Sequence, residues 1–321
     1  MSTLALAAAV VVPAAILAPH LAPLHKAAAP VGIAVWLLVL ALRAFATVVV
    51  ATLVLAALTD FSLVHVVLDW CWHGLLPDVP GALGFDEHPA SHAAVAGPAI
   101  LIAGSLAWLA VRAARGAIAV RRVLDRALGA GPFGSTVIRD ERVVFGVTGF
   151  GRGRVLVSDR ALDSLDDGEL AAGLMHEQAH LRRLHRPVLA MAAFVGALGG
   201  LLPGTRAAAR ELRFHLERDA DEYTVRTLHD PLALASAICK AAAGAPAGSV
   251  ASLGGRGGVA LRLEQLLDGS PPRSGPAEHS ARALLVVLAC VVGLIASAPA
   301  WAFAAPEQAS IHGAEQCHHD G

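Results

Sequence analysis

From Val31 to Leu58 the chain carries a single charged side chain, Arg43, in a run that is otherwise apolar or hydroxyl-bearing. A run of that length exceeds the ~20 residues a helix needs to cross the hydrocarbon core of a bilayer. In lipid, moreover, a helix satisfies its own backbone polar groups. Residues 33–58 are therefore expected to span a membrane. Three further segments share this character: 3–18, which is short and contains Pro13, then 93–111 and 282–303. The overall composition agrees, with 55% hydrophobic and 16% charged residues and a mean hydropathy of +0.59, more apolar and less charged than soluble domains.

The basic residues set the expected orientation. Of 25 lysines and arginines only Lys26 and Arg43 precede Arg112, and none follows Arg282. By the positive-inside rule, residues 113–281 are expected in the cytoplasm, with the loop 59–92 and the tail 304–321 outside. Lys26 places the loop 19–30 inside and the N-terminus outside. A cleaved signal peptide over 1–29 is the weaker reading, because no basic residue precedes the apolar stretch. A net charge of -1 argues against direct nucleic-acid binding, and the basic clusters read as topological determinants beside the lipid bilayer. Arg43 has two readings, a functional intramembrane charge or a side chain that snorkels to the interface.

Residues 113–281 are long enough for one compact domain. Residues 136–147 and 154–158 read as strands joined by the glycine-rich turn 148–153. An active helix is expected from about Glu169 to Arg183, and a second helix over 205–227. The apolar segment 187–202 between them is expected to be a hairpin arm that dips into or lies on the membrane and returns, since a full crossing would separate the two helices. Residues 241–258 read as a flexible loop or lid and 269–276 as a linker.

The chemistry centres on His176-Glu177-Gln178-Ala179-His180. Two histidines four apart on a helix share one face and can bind one Zn²⁺, while the adjacent glutamate can serve as general base. Asp166 with Glu169 forms a capping-box start, and Leu170, Leu174 and Leu181 recur at helical spacing. A catalytic zinc site needs a third protein ligand. Glu217, four residues before Asp221 on the next helix, suits that role, and Asp221 suits an acceptor that orients a ligating imidazole.

With these residues in place, the chain resembles the membrane-embedded zinc metallopeptidases of the BlaR/MecR antirepressor type. The similarity rests on Val155-Leu-Val-Ser158, Leu162-Asp163-Ser-Leu, the HExxH motif, His180-Leu-Arg-Arg-Leu-His185 and Arg213-x-x-x-Glu217-x-x-x-Asp221. It covers Val31 to Trp301. HtpX-type and CAAX-prenyl-type peptidases share HExxH and ExxxD. The resemblance implies a mostly α, membrane-embedded protein of about four transmembrane helices, with a cytoplasmic α+β zincin-like domain between the third and fourth. It further implies a regulatory endopeptidase that cleaves a peptide or protein such as a winged-helix repressor or a membrane regulator. The alternatives are a quality-control peptidase of the HtpX type and a non-enzymatic metal-binding sensor.

In that scheme Zn²⁺ on His176, His180 and Glu217 polarises a scissile carbonyl and Glu177 handles the proton. Related peptidases lay substrate along an edge strand, for which 154–158, with Val155 and Val157, is the candidate. Arg213 would brace the site. Tyr223, His185 and His215 are nominees for oxyanion stabilisation. Outside the domain, His65, Asp69 and His73 with His312, Cys317, His318 and His319 could sense metal, and a Cys71–Cys317 disulfide is permitted by topology. Fewer than about twenty residues follow the last span, too few for the penicillin-binding sensor of the best-known relatives.

Overall fold

The computed structural model describes residues 3–58, 89–148, 153–244, 255–268 and 275–304. The cluster of His and Cys around 65–73 and 312–319, including both members of the permitted disulfide, lies outside them. Helices dominate: α1 (Thr3–Leu21), α2 (Ala29–Ala57), α3 (Pro89–Leu124), α4 (Asp159–Ser164), α5 (Asp167–Arg182), α6 (His185–Leu198), α7 (Thr205–Leu228), α8 (Pro231–Gly244), α9 (Gly255–Leu267) and α10 (Pro276–Ala304). A small mixed sheet, β1 (Ala127–Ala130), β2 (Thr136–Ile138), β3 (Phe145–Thr148) and β4 (Arg154–Ser158), precedes α4.

Three of the helices are long and apolar enough to cross a membrane, over Ala29–Leu55, Ala96–Leu124 and Pro276–Ile295. The expected first span is a helix as well, α1, which contains Pro13 and Pro19. α3 does not stop where its arginines begin: it continues to Leu124, with Arg112 stacked 4.8 Å from the centroid of the Trp108 ring. Such an aromatic-cation pair suits the edge of an apolar layer.

α2 is the central strut. Val35, Trp36, Val39, Leu40 and Leu42 are buried against Ala192 of α6, Leu212 and Leu216 of α7, and Leu288 and Val291 of α10. Apolar packing of this kind contributes roughly 25 cal/mol per Å² removed from water. α7 approaches α2 so closely that a Cβ at Gly32 would collide with the His215 ring. Only glycine allows that approach.

α6 and α7 form a returning pair, each packed along α2. α5 and α6 meet at a 60° bend, with Leu184 in the left-handed region at φ 55°. At the far tip Arg43, 3% exposed, donates to the carbonyl of Pro203 and lies 3.1 Å from His20 Nε2. Gly204, at φ 88°, packs on the same guanidinium. Arg43 is therefore a buried cation held by the protein's own groups. It joins the hairpin tip to α1 and the middle of α2, about 20 Å from Ala29 at 1.5 Å per residue.

The opposite end of α2 is tied to the domain. Arg218 donates to the carbonyls of His25 and Ala27 at 2.9 and 3.0 Å. Gln265 donates to His25 O at 3.1 Å, and Glu278 accepts from Ala28 N at 2.7 Å. The turn between α1 and α2 thus sits with α7, α9 and the start of α10.

The strand expected over 136–147 is two strands. Asp140-Glu-Arg142 interrupts it, with Asp140 Oδ1 accepting from Arg142 N and Asp159 Oδ1 from Asp140 N. The sheet order is β1-β2-β4-β3, with β2 parallel and β3 antiparallel to β4. β4 is consequently an interior strand, and Val155 and Val157 are core residues packed with Leu165 and Leu174. This corrects the expectation that β4 is the edge along which substrate lies: it pairs with β3 over Arg154–Val157 and with β2 over Leu156–Ser158. The alternation of 154–158 indicated a strand without indicating its place in the sheet. Of the expected lid, residues 241–244 end α8 and residues 255–258 begin α9; residues 245–254, and 269–274 of the linker, lie outside the described residues.

Candidate metal centre

α5 begins as its sequence requires. Asp166 Oδ1 accepts from Glu169 N at 2.8 Å and Glu169 Oε2 from Asp166 N at 3.0 Å, a reciprocal cap. Leu174 is buried under the sheet, which turns His176 and His180 toward α7. Gly173 lets β3 lie directly on this helix, because a Cβ there would strike the Phe145 ring.

α7 runs past α5 and supplies the partner carboxylate. His176 Nε2 and His180 Nε2 are 3.2 Å apart, and they lie 3.3 and 3.7 Å from Glu217 Oε2 and Oε1. A tetrahedral zinc with bonds of about 2.0–2.1 Å places its ligand atoms about 3.3 Å from one another. The imidazole pair is close to that spacing and one ligand atom from each of the three residues lies within 4.8 Å of the others, so these residues could hold one such ion. The Glu217 side chain is 38% exposed against 11% and 14% for the two histidines. The cluster therefore opens to solvent on the glutamate side, where a reacting group could enter.

Both imidazoles are held from behind. His176 Nδ1 lies 2.9 Å from Asp221 Oδ1. Arg262 of α9 grips Asp221 through Nε and Nη2 at 2.7 and 2.8 Å, and its Nη1 is 3.1 Å from Glu217 Oε2. His180 Nδ1 lies 2.9 Å from His185 Nδ1, and His185 Nε2 lies 2.9 Å from Asp219 Oδ2. Arg183 completes this second chain by pairing with Asp219.

The charges are strongly coupled. Burial pulls His176 down, but the Asp221 and Glu217 carboxylates outweigh it and raise the ring to about 10. Burial lowers His180 to about 4, aided by the charge on His176. Enclosure would raise Glu217, yet His176 and Arg262 hold it well below the usual carboxylate range. Asp221 is likewise depressed against its burial, chiefly by Arg262 and His176. Burial lifts Glu177 to about 7, with His176, Arg262 and Arg186 restraining the rise. A carboxyl near neutrality can both take and return a proton at physiological pH.

Several nominees stand elsewhere. His215 is fully buried against Gly32 of α2. Tyr223 accepts from Arg182 Nη1 at 2.7 Å. His185 lies behind His180, on the side away from the ligand cluster. Among the described residues Arg213 makes no ion pair with the cluster, and the charge it feels is that of Arg112 on α3. The bracing expected of Arg213 falls to Arg262, which the sequence reading passed over. Its signal was faint: an arginine between Leu261 and Leu263 on a helix whose Leu266 is core, hence a cation in need of a carboxylate. Comparison with protein-family models, with curated proteins and with solved structures found no match to this chain.

Proposed function

We propose that this chain is an integral-membrane zinc endopeptidase of regulatory type, whose substrate is a cytoplasmic repressor or a membrane regulator. The observation that carries the reading is the convergence of His176, His180 and Glu217, one ligand atom from each within 4.8 Å of the others, with Glu177 next to His176 on the same helix. A bound Zn²⁺ would supply Lewis-acid polarisation of the scissile carbonyl and activation of water. Glu177 then accepts the water proton and delivers it to the leaving amine. Asp221 and Arg262 keep His176 and Glu217 in register through the cycle.

Substrate would add in extended form to β3, the sheet edge that touches α5, in place of β4. Val144 O accepts from Ser158 N, so alternate residues, Phe145 and Val147, turn their backbone groups outward. Arg186 already donates to Val147 O from that side. Such an edge recognises backbone, with side-chain pockets adding selectivity. The three candidate spans, with α1 as a fourth crossing, and the concentration of basic residues in 112–282, where 23 of the 25 lie, support a multi-pass protein with its domain in the cytoplasm and both termini outside.

The test compares protein N-termini in cells carrying the wild-type chain and Glu177→Ala. Loss of one or a few discrete cleavage products in the variant is the expected result. Broad loss of fragments from damaged membrane proteins would favour a housekeeping peptidase, and identical N-termini would reject proteolysis.

A further inference from the structure

His185 and Asp219 take no part in the ligand triad, yet each is only 2% exposed. Their geometry is directional. A neutral imidazole donates at one nitrogen and accepts at the other, whereas a carboxylate only accepts. Asp219 Oδ2, 2.9 Å from His185 Nε2, accepts a hydrogen bond from the Nε2–H, so that in the neutral ring His185 Nδ1 carries a lone pair. That lone pair faces His180 Nδ1 at 2.9 Å, so His180 carries its proton there. Its Nε2 is left unprotonated and aimed at His176 and Glu217.

The backbone is bent to make this chain of contacts. Five residues along a straight helix correspond to about 140° of rotation, which would point residue 185 away from residue 180. Leu184 instead adopts φ 55°, a conformation costly for a residue with a Cβ and commonly retained where function demands it. The turn brings the first residue of α6 back under His180. On α7, Asp219 lies about 160–200° around the helix from Glu217 and Asp221, too far round to serve His180 from their face. The His185 ring spans that gap.

We propose that His185 and Asp219 form a positioning relay that fixes the tautomer and orientation of His180 as a metal ligand. It is the counterpart of Asp221 on His176. Each histidine of the motif then has its own carboxylate anchor on α7, one direct and one through an imidazole. The inference rests on the metal-centre reading above and assigns His185 to the ligand side of the reaction, not to the substrate.

Zinc affinity tests it, measured on the purified full chain in detergent by competition with a chelating indicator, with Co²⁺ absorption as a second readout. His185→Leu should weaken Zn²⁺ binding about 10- to 100-fold, as removal of a ligand's hydrogen-bond partner does elsewhere. His185→Gln, whose carbonyl can accept the His180 proton, should recover most of the loss. Asp219→Ala should cost a comparable factor. Combined with His185→Leu it should add little, since both act through one proton. Wild-type affinity in His185→Leu, or equal weakness in the Gln and Leu variants, overturns the relay while leaving the metal centre intact. His180→Ala separates the two claims: if it binds Zn²⁺ as tightly as wild type, the metal-centre reading itself fails.

Discussion

Asp221 meets His176 with one oxygen and Arg262 with both, so its substitution separates orientation from ligation. Asp221→Asn keeps the shape but weakens the grip on both neighbours. It should lower zinc affinity about 10- to 100-fold and leave turnover that added zinc restores. Glu217→Ala should stay inactive at any zinc level the protein tolerates. Equal behaviour of the two variants in a zinc titration would contradict the assignment of ligand and anchor. The members of this group were legible to different degrees. His176, Glu177, His180, Glu217 and Asp221 are related by spacings of one and four on single helices, which local geometry alone makes meaningful. Arg262, Asp219 and the true position of His185 depend on how α5, α6, α7 and α9 close on one another, and no spacing encodes that.

The helix that carries the motif is also an electrostatic element. Glu169 caps its start and accepts from Lys240 Nζ at 2.6 Å and from Ser236 of α8. Those bonds, against some opposing burial, lower its carboxyl from 4.5 to about 2. A depressed carboxylate stabilises the fold at pH values above its ordinary value, and that contribution fades as pH falls from about 4.5 toward 2. Thermal unfolding in detergent should therefore lose stability less steeply across this window in Glu169→Gln, which keeps the cap but cannot titrate. An unchanged acid slope would show that the pairing contributes nothing. The cap of α5 was readable because Asp166 and Glu169 are three apart. The strands were less so: 136–147 has strand character throughout, but the turn at Asp140 and the parallel β2–β4 pairing arise from non-local hydrogen bonds.

For the molecule as a whole, apolar length identified α2, α3 and α10, while the role of α2 as the strut for α6 and α7 emerged only from packing at Gly32 and Arg43. Arg218, Gln265 and Glu278 hold the turn before α2 on the domain side, the side that Lys26 and the arginines indicate. In a cysteine-free background, a membrane-impermeant thiol reagent applied to intact cells should label Pro80→Cys and spare Ala130→Cys, an exposed position on β1. The reverse pattern would invert the orientation. The central claim, a zinc endopeptidase built on His176, His180, Glu217 and Glu177, is tested most directly by zinc content measured beside cleavage in three proteins. Wild type should hold about one zinc per chain and cleave, Glu177→Ala should hold the same zinc without cleaving, and His180→Ala should hold little. Equal zinc in wild type and His180→Ala, or zinc lost from Glu177→Ala as fully as from His180→Ala, would contradict it.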